Sequence, residues 1–281
     1  MNTTGLRKIL TTYKNNDYQI DKSLDMSELT AAMLREIGNV DPVLRDELIY
    51  LSFAQLIISD TYSDEILNEL HHTCLDQNHL FYKIGETDTD SVFTRSFSSL
   101  IIAVLLHVNL EKGFLTEVEI ADTSTLLVKY LSQEQDVRGM VPNKGWAHSV
   151  AHIADAIDEL IKQPSLPTVN LEVIFHALLS KMAFHKEHFL YDEEERMAIP
   201  IVTMLQRGFD ESIICEKVIK LTDDLKQDVS ADNQSYYIYR ANVKQFLSSL
   251  FFHLEMTEQA RDVRDSIKQG LFQMNQPYYQ M

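Results

Sequence analysis

Apolar residues recur along this chain at steps of three and four, the spacing that places side chains on one face of an α-helix. The first set consists of Leu6, Ile9, Leu10 and Tyr13. A second set runs over residues 26–37 and stops at Gly38, which suits the left-handed backbone position past a helix end. A third set follows Asp41-Pro42, an N-cap and a first-turn proline. The chain is therefore predicted to open with three helices.

The rest of the chain repeats this scheme. The segment from Ser91 to Val108 is apolar nearly all round, which predicts a helix buried on most of its faces. Further helices, each opened by a capping or acidic residue or a loop, are predicted over residues 63–77, 116–131, 146–161, 170–182, 192–206, 210–226, 232–253 and 257–272. No segment alternates as a strand does, so we predict an all-α protein without a sheet.

About a dozen helices joined by short loops are typical of an α-solenoid, in which antiparallel helix pairs stack on one another. We therefore predict a right-handed, HEAT-like stack that forms a single helical domain over residues 1–281. No repeated sequence signature accompanies the succession of helices, so the predicted repeat is one of structure only.

The charge of the chain excludes two classes of binding partner. The chain contains 25 Lys and Arg against 42 Asp and Glu, a formal net charge of −17, which phosphate backbones and anionic lipid surfaces would repel. Nucleic acid and membrane are therefore not expected as partners. The uncharged run from Phe97 to Leu110 is shorter than the roughly 20 residues that a bilayer span needs, so it is interpreted as a buried helix.

Cysteine usage and the N-terminus indicate a cytoplasmic location. Cys74 and Cys215 are far apart and match neither a disulfide framework nor a metal-finger spacing. The first eight residues are mostly polar and do not resemble a signal peptide.

Chemistry-bearing residues concentrate between Asp136 and Asp155, where a loop with Gly and Pro leads into a helix predicted to start at Trp146. His148, His152 and Asp155 have the spacing i, i+4, i+7 and are expected on one face of that helix. Imidazoles one turn apart can bind one ion, so these three residues are candidate ligands of a divalent metal. A metalloprotease is not favoured, because Ser149 stands where such helices carry Glu.

The next helix is predicted to run back antiparallel. It would bring His185, His188 and the acidic run 192–195 toward His148 and complete a ligand set. The alternative is that His148 and His152 are core histidines, hydrogen-bonded to Asp155 or to backbone carbonyls.

A second interpretation is an anion site at the start of the predicted helix, where backbone N–H groups and the helix dipole attract negative charge. Arg138 and Lys144 could complete such a site. Trp146, Glu194 and Arg196 are the other ligand-binding candidates, since the segment 193–196 is predicted to converge on the histidine cluster.

Structural roles are the alternative for these residues. Arg138 would then pair with Asp136, with Asp155 or with the carboxylates at 193–195, and Trp146 would anchor packing. Arg95 lies in an otherwise apolar helix and needs a specific partner, for which Asp90 or Asp60 is expected.

Residues 145–155 read Gly-Trp-Ala-His-Ser-Val-Ala-His-Ile-Ala-Asp and follow Asp-Val-Arg-Gly at 136–139. This stretch resembles the hallmark of a bacterial family known as domain of unknown function 2785. Two shorter segments, 93–98 and 193–198, also resemble parts of that family, although Met197 replaces a usual leucine and Ile153 a usual glycine. The resemblance implies an all-helical cytosolic protein and no established activity.

These observations favour a binding or interaction module, because a solenoid offers a long surface and no recognisable catalytic set is present. The alternative is a metal-assisted enzyme or a small-anion-binding protein with its site at His148, His152 and Asp155. No cofactor other than a possible divalent metal is indicated, and the partner is an unidentified protein or small molecule.

Overall fold

The computed structural model describes residues 1–21, 23–227 and 234–279, and these residues form twelve α-helices. In chain order the helices are α1 (Thr3–Asn15), α2 (Met26–Arg35), α3 (Leu51–Ile58), α4 (Asp64–Cys74), α5 (Ser91–Lys112), α6 (Glu117–Gln133), α7 (Ser149–Ile161), α8 (Thr168–Met182), α9 (Glu193–Gln206), α10 (Glu211–Gln227), α11 (Gln234–Met256) and α12 (Arg261–Tyr279). The prediction of an all-α protein with about a dozen helices is confirmed.

The capping residues explain several helix starts. Asn2 and Asp25 accept hydrogen bonds from backbone N–H groups at the starts of α1 and α2. Thr116 and Glu119 form a reciprocal capping box at the start of α6. The helix predicted after Asp41-Pro42 begins differently, as a π-helical segment over Val43–Tyr50 that continues into α3.

Three predicted helix starts need comment. α7 begins at Ser149 and not at Trp146, and α8 begins at Thr168, so Asn170 lies within its first turn and is not its cap. The predicted start of the penultimate helix, Asp232, lies outside the described residues.

The prediction of a protein without a sheet was wrong in one place. Between α6 and α7, strands β1 (Met140–Val141) and β2 (Gly145–Trp146) pair antiparallel as a hairpin. Asn143 and Gly145 adopt left-handed backbone conformations with φ of 62° and 77°, as the turn of a tight hairpin requires. Two-residue strands are too short for alternation of polar and apolar residues to reveal them.

The chain divides into two compact units, Met1–Leu166 and Pro167–Met281. In unit 1, α5 packs against α3, α4 and α7. Ser96 contacts His152 and Asn109 contacts Gln163, so α5 and α7 run parallel. In unit 2, α9 packs against α11, and α10 against α12. The single domain and the right-handed solenoid stay predictions.

The central helix of unit 1 is α5. Fifteen of its 22 residues are buried, including Phe93, Arg95 and Ser96. It is the one described helix that is long and apolar enough to cross a membrane, but most of it is buried inside the protein, as expected of a core helix.

Gly38 has a different role from the predicted one. It is not among the glycines with positive φ, so it does not provide a left-handed helix end. A Cβ atom at this position would lie 2.8 Å from the backbone nitrogen of Thr94 on α5 and would also collide with the Thr94 side chain. Glycine is required here because two backbone segments approach closely.

We expect Gly38→Ala to lower the free energy of unfolding by about 1–3 kcal/mol, because the added methyl group overpacks a backbone contact that cannot yield. Urea denaturation measures the change. Gly5→Ala is the matched control, since its Cβ would meet a side-chain atom at 3.3 Å within a helix that favours alanine. Equal stability of Gly38→Ala and the wild type would contradict this explanation.

Candidate functional site

The candidate site is built on the segment between α6 and α7, residues 134–148. It begins at Glu134, whose carboxylate accepts hydrogen bonds from Arg95 Nε at 2.6 Å and Nη2 at 2.9 Å. Tyr130 donates to the same carboxylate at 2.9 Å, and Arg95 Nη1 also donates to the hydroxyl of Ser91 at 2.8 Å. The side chains of Arg95 and Glu134 are 0% and 1% exposed, so this is a buried, bidentate ion pair.

The predicted partners of Arg95, Asp90 and Asp60, were wrong: Glu134 fills that role from 39 positions away. Burial lowers the pKa of Arg95, but the hydrogen bonds and charge of Glu134 more than compensate and raise it above its usual value. Burial raises the pKa of the Tyr130 hydroxyl, which stays a donor.

Asp136 continues the segment and is also buried. Arg138 contacts its carboxylate twice, from Nε at 2.8 Å and from Nη2 at 2.6 Å, and also donates to the carbonyl of Thr89. The backbone N–H of Asp88 donates to Asp136, while Ser149 donates to its carbonyl. The alternative predicted for Arg138, pairing with Asp136, is confirmed.

Arg45, a residue of the π-helical segment, binds the hairpin through backbone carbonyls. Arg45 Nη2 donates to the carbonyls of Lys144 at 2.7 Å and Trp146 at 3.4 Å. Arg45 Nη1 donates to the carbonyl of Asn39 at 2.7 Å. These bonds satisfy backbone acceptors of β2 and its turn with a side chain that is 0% exposed.

Aromatic rings enclose the same guanidinium group. It lies 4.1 Å from the ring centroid of Phe93 and 4.8 Å from that of Phe97, both on α5. Asp46 is its carboxylate partner at 2.7 Å. Burial lowers the pKa of Arg45, and Asp46 only partly opposes that effect. Gly145 passes close to Arg45 and Asp46, where a Cβ atom would lie within 3.3 Å of both side chains.

Lys144 lies in the hairpin turn and contacts the carboxylate of Asp90 at 2.6 Å and 2.8 Å. Arg138 and Lys144, the cations proposed for an anion site, are thus both engaged with carboxylates of unit 1. The backbone N–H of His148 donates to Arg138 O, and that of Ala147 to Gly139 O. An anion site at these residues stays a prediction.

His148 is not on the helix, because it adopts a left-handed conformation with φ of 47° immediately before α7. Its ring stacks on Trp146, with centroids 4.3 Å apart, and meets His152 edge-to-face at 5.7 Å. His152 in turn meets Phe97 edge-to-face at 5.3 Å. The structure therefore brings Trp146, His148 and His152 together as an aromatic ladder, although the predicted helical geometry was wrong.

A hydrogen-bond argument assigns the tautomer of His152. The hydroxyl of Ser96 lies within hydrogen-bond distance of the carbonyl of Ala147 and 2.7 Å from His152 Nδ1. A carbonyl can only accept, so the single hydroxyl proton goes to Ala147. His152 Nδ1 must then donate to Ser96, and the neutral ring carries its lone pair on Nε2.

The structure gives no further support to the predicted metal site. Within the part of the chain that is described, no group of three or more His, Cys, Asp or Glu side chains is placed to hold a metal ion. Asp155 lies on α7 and is half-buried. A site at His148, His152 and Asp155 stays a prediction.

The remaining candidates belong to unit 2. Glu193, at the start of α9, accepts backbone hydrogen bonds from Leu190 at 3.1 Å and Tyr191 at 2.8 Å. Burial raises the pKa of Glu193 and of Glu194. The convergence of Glu194, Arg196, His185 and His188 on the histidine cluster stays a prediction.

Three residues of the site were not identified from the sequence: Arg45, Ser96 and Glu134. Only Arg45 could have been recognised from the sequence, because it lies between Leu44 and Leu48 on a helical segment that buries both leucines. An arginine on a buried face needs partners, as the reasoning for Arg95 already recognised. Ser96 and Glu134 could not be identified from nearby residues, since the partners that decide their roles, Arg95 for Glu134 and Ala147 and His152 for Ser96, lie 39 to 56 positions away.

A family model described as protein of unknown function (DUF2785) matches residues 80–252, which is more than half of the chain. The chain belongs to this family. No curated protein and no solved structure matches it. The region of the DUF2785 match includes Arg95, Glu134 and the whole hairpin, whereas Arg45 lies outside it.

We expect Glu134→Gln to lower the free energy of unfolding by about 3–5 kcal/mol, because it leaves the charge of Arg95 buried without an anion. Urea denaturation at neutral pH measures the loss. Glu47→Gln, which removes an exposed partner of Lys14, is the matched control and should cost less than about 1 kcal/mol. Similar losses in both variants would show that the Arg95 pair is not a buried ion pair in solution.

We also expect the neutral His152 ring to be protonated on Nδ1. Two-dimensional ¹H–¹⁵N correlation spectra of the imidazole rings report which nitrogen carries the proton, and His152→Gln identifies the signal. In Ser96→Ala the acceptor is lost, so the preference for this tautomer should weaken. A wild-type ring protonated on Nε2 would overturn the assignment.

Proposed function

We propose that this protein is a binding module that recognises a partner protein through the exposed face of the β1–β2 hairpin. The observation that carries this proposal is the cross-strand pair Met140 and Trp146. Directly opposed residues of an antiparallel pair lie on the same face, and these two side chains are 37% and 38% exposed. Trp and Met are enriched at protein interfaces, and Trp is frequent among residues that dominate binding energy.

The rigidity of the hairpin supports the proposal. Arg45 holds the carbonyls of Lys144 and Trp146, and the ring of His148 stacks on that of Trp146. A recognition element that is already ordered loses less conformational entropy on binding. The buried arginine therefore makes the exposed Trp146 a better anchor than the same residue on a mobile loop.

The charges favour a protein as the partner. Arg138 and Lys144 contact carboxylates, and the chain carries a formal net charge of −17. Such a surface attracts neither nucleic acid nor an anionic membrane. The two free cysteines, Cys74 and Cys215, fit our proposal that the protein acts in the cytoplasm.

A metal-assisted enzyme is the second candidate. It is favoured by the proximity of the His148 and His152 rings and by the Nδ1–H tautomer of His152, since metal-binding imidazoles donate their other ring N–H to a neighbouring acceptor. Elemental analysis of protein purified without an affinity tag tests this function. Stoichiometric zinc, manganese or iron supports the enzyme, and no metal contradicts it.

The hairpin proposal is tested with the double variant Met140→Ser/Trp146→Ser. Partners are captured from host extract by the wild type and the variant and quantified by mass spectrometry. We expect a specific partner to be depleted from the variant by at least about 10-fold, because removing a central apolar anchor costs about 2 kcal/mol or more. Addition of that purified partner should shift the fluorescence of Trp146, the only tryptophan in the chain.

Val118→Ser is the matched control, because Val118 is an exposed apolar residue of α6 with 69% exposure. It should capture the same proteins as the wild type, and thermal melts should show that all variants are folded. Identical capture by the hairpin variant and the wild type would refute the proposal.

A further inference from the structure

Unit 1 contains a cavity that is separate from the hairpin. Its volume is about 620 Å³, and it lies between α1 and the loop that follows this helix. Cavities of roughly 300–1,000 Å³ are typical of small-molecule sites. The lining residues are Gly5, Lys8, Ile9, Thr12, Tyr13, Asn16, Gln19, Ile20, Asp21 and Leu24.

The described residues of the loop make hydrogen bonds with α1 and with one another. The backbone N–H of Tyr18 donates to Tyr13 O, and that of Gln19 donates to Asn16 O. Asp21 accepts hydrogen bonds from the N–H and the hydroxyl of Ser23 at 2.9 Å and 2.8 Å. The described residues of this loop, 16–21 and 23–24, are therefore hydrogen-bonded where they border the cavity.

Apolar side chains form much of the lining. Tyr13 is buried, and Ile9, Ile20 and Leu24 are half-buried, so the three aliphatic side chains keep part of their surface uncovered. An apolar ligand body that covered this surface would gain roughly 25 cal/mol for each Å² removed from water.

Lys8 is the one cation among the described lining residues of this cavity, and its side chain is exposed. The other cations of α1 are paired, Arg7 with Asp41 and Lys14 with Glu47. Lys8 makes no ion pair with any described residue, although the chain has a large excess of carboxylates. A cation beside an apolar cavity suits a ligand that carries one anionic group. The carboxylate of Asp21, which also belongs to the lining, disfavours a second anionic group.

We propose that this cavity binds an amphipathic monocarboxylate, with its aliphatic body against Ile9, Ile20 and Leu24 and its carboxylate paired with Lys8. This function is independent of the hairpin. The proposed site lies in the N-terminal part of the chain, outside the DUF2785 match.

The probe is decanoate, and its binding to the full-length protein is measured by isothermal titration calorimetry. We expect saturable binding at one site, with amide chemical-shift changes confined to residues 5–24. Lys8→Met keeps the apolar stem but removes the charge. It should weaken decanoate binding by about 10-fold or more, as expected from the loss of one charge-assisted hydrogen bond.

Two controls make the result specific. Lys14→Met removes a neighbouring charge of α1 and should bind decanoate as the wild type does. The neutral analogue 1-decanol should bind the wild type and Lys8→Met equally. The proposal is overturned by the absence of saturable decanoate binding, by equal affinity of Lys8→Met and the wild type, or by equal weakening in both lysine variants.

Discussion

Two fully buried guanidinium groups impose the constraint on which unit 1 depends. Arginine stays protonated in proteins, so Arg45 and Arg95 must find hydrogen-bond acceptors inside the core. The carboxylate of Glu134 provides them for Arg95, whereas Arg45, among the described residues, donates only to backbone carbonyls. The charge of Asp46 and two aromatic faces offset the remaining burial of Arg45, whose Nε makes no hydrogen bond to a described residue. Satisfying both charges fixes the two ends of the segment between α6 and α7. The hairpin is therefore a consequence of charge burial.

This constraint also explains why the polar residues of the segment do not form an obvious catalytic set. Arg138 and Lys144 contact carboxylates, and Ser96 is occupied by Ala147 and His152. Such interactions orient and stabilise the segment, while Met140 and Trp146 stay at the surface and Val141 is buried. A rigid element that displays Trp146 fits recognition better than chemistry, which is the basis of the proposed function.

The sequence predicted the helices well because each buries an apolar face that recurs every three to four residues. It did not predict the hairpin or the left-handed His148, since neither produces a periodic signal. Adjacent positions on a helix face different ways, and His71 and His72 follow that rule: His71 is buried and contacts Thr123, whereas His72 contacts Glu119. The partner of Arg95 could not be deduced, because the fold alone brings residues 39 positions apart into contact.

Hydrogen exchange of the wild-type protein, followed by NMR or mass spectrometry, tests most directly whether the buried arginines preform the hairpin. The N–H groups of Lys144, Ala147 and His148 are bonded within the segment to Val141, Gly139 and Arg138. They should exchange slowly, at rates close to those of amides in α7, although the segment is a connection between helices. Exchange as fast as that of an unstructured chain would contradict the account, because the segment would then be mobile despite its buried anchors.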